Sequence, residues 1–241
     1  FTLDSLIELA YDSYLAGFEI IIPGLIEAYD KMKRKDPLLS AAVEELRKWD
    51  LRTSKESIAM TLAHFYVTEF LKKYKNHSKL SRMDLINYLG TKTSYEERLK
   101  VFRVAVDRIT RDFGKWDVPW GAINRFQRLN DNIKPEFNDS STSIPVGLAS
   151  GNWGSLASYG SSSAANTRYL YGTSGNSFVA VVEFGENVRA KSILVGGQSG
   201  NPDSPHFTDQ IEGYIEGNFK DVLFYCEDVK RFAAKLYHPG E

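Results

Sequence analysis

The chain has 241 residues, with 30 Lys and Arg against 31 Asp and Glu, a formal net charge of −1. At 42% apolar and 25% charged residues it has the composition of a globular chain, long enough for one large domain or two small ones, and not of a disordered one. Near-neutrality excludes a global pull toward nucleic acid or an anionic membrane. The lone Cys226 excludes an internal disulfide and any multi-cysteine metal site, and no apolar run reaches the roughly 18 residues of a membrane span.

Residues 1–115 read as helix. Leu3, Leu6, Ile7, Ala10, Tyr14, Leu15 and Phe18 recur at three- and four-residue steps, and Ile21, Ile22, Leu25, Ile26 and Tyr29 extend the stripe. Pro23 lacks an amide hydrogen and clashes with the preceding turn, so a kink or break is expected near Ile22. A short helix is expected over Leu38 to Trp49. A third opens on the capping-box spacing of Thr53 and Glu56 and carries Ile58, Leu62, Phe65, Tyr66 and Phe70. A fourth opens on Ser94 and Glu97, carries Leu99, Phe102, Val106 and Ile109, and stops at Gly114, a candidate left-handed cap.

Residues 116–241 have a different texture. Gly, Ser, Asn and Pro are dense from Asn138 to Gly175, which reads as loop. Phe178 to Phe184 and Ser192 to Val195 read as strands, joined across the Gly185–Asn187 turn as a hairpin. A short helix is expected from Ser204 or Pro205, and a last strand over Val222 to Tyr225. The expected class is therefore α+β, a helical half followed by a loop-rich β/α half.

The densest polar constellation is GGQSGNPDSPHFTDQ, residues 196–210, holding Gln198, Asn201, Asp203, His206, Asp209 and Gln210. His206 and Asp209 have the spacing of a carboxylate-oriented imidazole, and Ser199 or Ser204 is available as a nucleophile. Neither serine sits in a G-x-S-x-G elbow, and a turn braced by Asn, Asp and His accounts for the same residues, so the loop reads as structural. Asp203, His206 and Asp209 would suit zinc with one open position but match no established ligand spacing. His64 reads as a core or surface histidine, while His77 and His238 read as peripheral. The basic runs Lys31 to Lys35 and Lys72, Lys73, Lys75 and Lys79 read as solvated helix ends. The serines from Ser140 to Ser163 have no base implied by sequence. Trp116, Trp120, Trp153, Tyr159, Tyr169 and Tyr171 suit either a core or a cleft for an acyl chain or a sugar.

Several segments, taken in order, carry a resemblance. They are FTLDSLIELAYDSYLAGFEIIIPGLIEAY with Asp12, LRKWDLRTSKESIAMTLAHFY, WGAINRFQ (120–127), IPVGLASGNWGS (144–155), GNSFVAVVEFGE (175–186) and, most specific, GGQSGNPDSPHFTDQIEGYIEGNFKDVLFY (196–225). Together they resemble the penicillin acylase family of N-terminal-nucleophile (Ntn) amidohydrolases, which includes acyl-homoserine-lactone and aculeacin acylases. The resemblance implies a four-layer αββα fold, a precursor that cuts itself into α and β chains, and a nucleophile at the head of the β chain that uses its own α-amine as base. The chain resembles the C-terminal part of that β chain. Phe1 carries no hydroxyl or thiol, and the family's oxyanion Asn belongs upstream of the opening helix. His206 matches a family position used neither as nucleophile nor as oxyanion donor.

The resemblance thus implies no catalytic, cofactor-binding or metal residue in this chain, and no cofactor. It implies as partners the remaining β-chain segment and the α chain of the same precursor, with a small N-acyl substrate in the intact enzyme, but no nucleic acid. The implied location is periplasmic or secreted, and the implied domains are a helical subdomain, 1–115, and a β-rich segment, 116–241, completing the Ntn sheets. The alternative is a stand-alone binding or structural module with an aromatic, glycine-rich cleft.

Overall fold

A computed structural model of the chain describes residues 1–73, 80–236 and 238. The fold is α+β, helical in its N-terminal region and sheet-containing in its C-terminal region. The first helices are α1 (Leu3–Ala10), α2 (Phe18–Asp30), α3 (Pro37–Arg47), α4 (Ile58–Lys73), α5 (Arg82–Asn87), α6 (Tyr95–Phe113) and α7 (Trp120–Ile123), with a π-helical turn, Tyr88–Lys92, following α5. Strands β1 (Asn124–Phe126), β2 (Ile144–Pro145), β3 (Tyr159–Ser162), β4 (Leu170–Gly175), β5 (Phe178–Glu183) and β6 (Arg189–Leu194) come next, then α8 (Ile211–Glu216), β7 (Lys220–Asp221) and α9 (Cys226–Phe232). The chain forms two compact units, Asp12–Gly175 and the discontinuous Phe1–Tyr11 with Asn176–Glu241.

In the unit Asp12–Gly175 the apolar stripes of α2, α3, α4 and α6 close one core. It includes Phe18, Ile21 and Leu25, then Leu62, Tyr66 and Phe70, then Phe102, Val106 and Ile109. Tyr66 sets its ring edge-on to Phe70 and to Phe102. The stripe that runs from Leu3 past Phe18 is not one helix. Residues 11–17 leave helical geometry, because Asp12 accepts the Tyr14 amide at 3.2 Å and pairs with Arg52. Beside it, Leu15 N–H donates to Leu51 at 2.9 Å and Thr53 N–H to Ser13 at 3.0 Å. Pairing with the distant segment 51–53 of the same chain there wins over helical period. The break expected at Ile22 does not occur: Pro23 is the sixth residue of α2, where it removes one amide near the helix start. Thr53 is not the cap of α4; its hydroxyl donates to Gly147 O, and Ser57 Oγ accepts the Met60 amide at 3.0 Å instead. At α6 the expectation holds, with Ser94 accepting from Glu97 N–H and Gly114 left-handed at φ 84°.

The same unit carries a four-stranded sheet in the order β2-β1-β4-β3, with β1 parallel to β4 and the other pairs antiparallel. Strands β3 and β4 lie within the stretch read from sequence as loop. Their Gly and Ser residues hide the period-two signal, and the register shifts between Gly160 and Ser161.

In the unit formed by 1–11 and 176–241 the sheet order is β5-β6-β7. The hairpin expected across Gly185–Asn187 is present, in register from Phe178 opposite Leu194 to Glu183 opposite Arg189. Helix α1 packs against β5, buries Leu3 and Ile7, and ties Asp4 to Lys191 at 2.6 Å. Helix α8 brings Gly213 against Ile193 and buries Ile211 and Tyr214. These contacts cover the Lys191 and Ile193 side of the sheet. On the opposite side Phe178, Ala180 and Val182 of β5 are exposed, as is Val222 just after β7. No helix starts at Ser204, because residues 201–210 are turns stitched by side chains. The expected last strand is shorter and earlier, β7, and the exposed α9 follows it.

Candidate functional site

The glycine-rich loop 196–210 is built around close backbone approach. Gly196 is left-handed at φ 101°, and a Cβ on Gly197 would come within 2.2 Å of His206 O. Gln210 N–H closes the loop on Gly196 O at 2.7 Å, and Gln210 Oε1 accepts the Leu194 amide at 3.2 Å. Within the loop, Ser199 Oγ accepts from Asn201 N–H, Asn201 Oδ1 from Asp203 N–H, and Ser204 Oγ from His206 N–H. Gln198 accepts Lys220 Nζ at 2.6 Å. These are side chains folding a turn.

His206 and Asp209 do meet, Nδ1 to Oδ2 at 2.7 Å, in an exposed pair. Both serines put forward as nucleophiles have their oxygens engaged with backbone amides two residues on, and among the described residues neither is hydrogen-bonded to the imidazole. A triad needs that bond as well as the carboxylate. Among the described residues no group of three or more His, Cys, Asp or Glu is placed to hold a metal ion. The structure therefore brings together the pair but not the chemistry, and the loop's order is that of a brace between β6, β7 and α8.

The segment WGAINR is a clamp. Trp120 Nε1 donates to Leu148 O at 3.1 Å, and Asn124 Nδ2 donates to Val146 O and Leu148 O at 2.8 and 3.0 Å. Arg125 reaches Ser143 Oγ at 3.0 Å and the Gly121 carbonyl at 3.1 Å. A Cβ on Gly147 would come within 2.9 Å of the Lys55 amide nitrogen, too close for a side chain, and one on Gly121 would press on Lys55 at 3.0 to 3.1 Å. The aromatics around it belong to the interior: Trp120, Trp153, Tyr159 and Tyr171 are buried, and Tyr169 stacks on Phe113. Tyr171 donates to Asp139 at 3.0 Å, and burial together with that carboxylate pushes its phenol well above the usual range.

The other residues singled out from sequence are scattered. His64 lies against Trp120, and burial with the Arg108 charge lowers its pKa to about 4. His238 is exposed, while His77, Lys75 and Lys79 lie outside the described residues. Lys31 pairs with Glu27, Lys72 with Glu69 and Lys73 with Glu97, as solvated helix ends do. Ser150 caps a 3₁₀ turn, Ser158 Oγ accepts the Gly151 amide, and Ser143 holds Arg125. Cys226 is exposed.

Two of the clefts among the described residues carry charged side chains from several elements. One, in the discontinuous unit, has a volume near 440 Å³ and is lined by Asp4, Glu8, Tyr11, Lys191 and Glu216. The other, of 760 Å³, lies in the unit Asp12–Gly175 against Arg98. Arg98 did not emerge as a site residue from sequence. Its signal is there: it occupies the face of α6 that also carries Val101, Phe102 and Ala105, a charge on an apolar stripe.

A family model described as penicillin amidase matches residues 1–231. Among solved structures, the chain is similar to a thermostable penicillin G acylase from Alcaligenes faecalis at 15% identity and a TM-score of 0.49. That match covers 99% of this chain and 49% of the other, so the chain spans about half the length of the relative it matches.

Proposed function

The chain belongs to the penicillin amidase family, and from that premise we propose that it is the C-terminal part of the β chain of an Ntn amidase. In this reading the enzyme cleaves the amide of an N-acyl substrate, and the nucleophile and oxyanion donor lie outside these residues. The observation that carries the reading is the bare side of the β5-β6-β7 sheet. Phe178, Ala180 and Val182 are exposed on one face of β5 while α1 and α8 cover the other, a helix layer and a sheet layer with an apolar surface left over. Such a surface is covered in a finished fold. In an αββα architecture a second sheet from the same precursor would lie there, followed by its own helices. In this reading residues 1–115, in which no described residue lies in a named strand, are the helical subdomain and 116–241 the sheet-completing segment, a division by sequence that the two compact units cut across.

The interior of the chain supports the same division of labour. The two motifs richest in polar side chains, 120–125 and 196–210, hold backbone segments together, and no described serine is hydrogen-bonded to the His206 imidazole. What this chain supplies is a rigid frame; attack on the carbonyl, proton transfer and oxyanion stabilisation fall to the remainder. In this reading the parent precursor is autoprocessed and periplasmic or secreted. Among the described residues no helix is long and apolar enough to cross a membrane.

The test is reconstitution. The purified chain is assayed on chromogenic N-acyl anilides alone and after co-expression with the upstream part of its precursor. The expected result is no turnover alone and turnover from the assembled protein. Turnover by the chain alone, abolished by Ser199→Ala or His206→Ala, would overturn the reading.

A further inference from the structure

We propose that the cleft bordered by α2, the π-helical turn and the start of α6 binds a small carboxylate with an apolar body, anchored by Arg98. The inference is independent of the amidase reading. The cleft has a volume of 760 Å³ and is lined by Ile20, Pro23, Gly90, Thr93, Tyr95 and Arg98, among others.

Arg98 is 4% exposed, and buried arginines ordinarily lie against a carboxylate. This one is held by neutral groups: Nε donates to Thr93 Oγ1 at 2.9 Å, Nη1 to Gly24 O at 3.0 Å, and the guanidinium carbon lies 5.8 Å from the centre of the Tyr95 ring. Among the described residues no carboxylate is within ion-pair distance of it. Of the acidic groups nearby, Glu27 and Glu97 are hydrogen-bonded elsewhere, although the bonds of Glu27 to Lys31 and Tyr95, and after them the Arg98 charge, lower its pKa. Glu27, at the cleft, accepts from Tyr95 at 2.7 Å and from Lys31 at 2.8 Å, and Glu97 pairs with Lys73. Glu96 is exposed in the first turn of α6.

The surroundings favour an anion with a carbon body. Ser94 Oγ satisfies the Glu97 amide, while helix geometry leaves the Tyr95 and Glu96 amides without intrahelical acceptors. The remaining guanidinium hydrogens match the two oxygens of a carboxylate. Ile20 and Pro23 give apolar wall. The pocket is built rigidly around the guanidinium, since a Cβ on Gly24 would come within 2.8 Å of Arg98 Nη1 and 2.4 Å of Gly90 O.

The experiment is an NMR titration of the full 241-residue chain with hexanoate, using hexanamide and sodium chloride as controls, and following the Arg98 Nε–H and the Tyr95 and Glu96 amides. Saturable shifts at these groups with hexanoate alone are expected. Arg98→Lys, which keeps the charge and loses the fork, should weaken binding about tenfold or more. Thr91→Trp, at an exposed lining position, should abolish binding with the melting curve unchanged. No shift, an equal response to hexanamide or chloride, or unaltered hexanoate binding in Thr91→Trp would overturn the proposal; the last holds whether or not Arg98→Lys folds.

Discussion

His64 shows how one packed side chain writes itself into the pH dependence of the whole. Its ring lies 4.8 Å from that of Trp120 and 5.6 Å from that of Phe65, and burial, then the Arg108 charge, lowers its pKa to about 4. The unfolded imidazole titrates near 6.5. Between those values the unfolded chain binds more protons, so His64 costs the fold stability as pH falls through that window and nothing above it. The ceiling is about 3 kcal/mol, reduced by the ring's partial exposure. His64→Phe is expected to flatten the acid limb of a stability–pH curve measured by denaturant melts. The difference from wild type isolates the histidine from carboxylates such as Asp36 and Glu69, which are also held below their usual range. Gly90 makes a second residue-scale case. A Cβ there would come 2.3 Å from Ile20 O, which is backbone and cannot swing away. Gly90→Ala is therefore expected to lose about 2 to 3 kcal/mol in a urea titration. Gly90 did not stand out in the sequence, and His64 was legible there only as a core or surface histidine. A histidine's neighbours come from other elements, and a glycine's close approach is a property of two backbones. Arg98 did not emerge from the sequence either, although its signal, a charge set into an apolar stripe, is local.

Helix α6 is the element the sequence specified most fully. Its stripe, its cap Ser94 and its stop at Gly114 are all local, and all are present. Ser94→Ala is expected to lower stability by about 1 kcal/mol with the native circular dichroism retained, while Ser81→Ala acts on the six-residue α5 and should cost less. Elements made by long-range pairing were less legible. The stretch around Asp12 has helical period but joins Arg52, and β3 and β4 are strands because they pair with each other and with β1. The hairpin β5–β6 was readable, its turn and its β-branched run being contiguous. The same rule explains the polar loop. The contact between His206 and Asp209 follows from their spacing, but the engagement of Ser199 and Ser204 with backbone amides does not.

At the scale of the molecule the two compact units differ in how their chains close. Asp12–Gly175 is continuous and holds a core built from four helices, so its stability rests on its own segment. The other unit is discontinuous: the eleven residues from Phe1 to Tyr11 supply α1, which packs on β5 and contributes Leu3, Ile7 and the Asp4–Lys191 ion pair. Tyr11 adds an edge-on contact with Phe219 and lies against Gly217. Removing residues 1–11 takes the helix from a three-stranded sheet whose other face already carries exposed Phe178 and Val182, leaving the sheet with little beyond α8 to exclude water. A sheet of this size does not hold with both faces wet. Hydrogen exchange on the truncated chain is therefore expected to show loss of protection across β5, β6 and β7 with α2, α4 and α6 still protected. Adding Val182→Lys to the full-length chain should act on the bare face alone, lowering self-association in sedimentation without that loss of protection. Exchange that falls equally in both units after truncation would show that the chain folds as a single cooperative block, and would remove the division of labour on which this prediction stands.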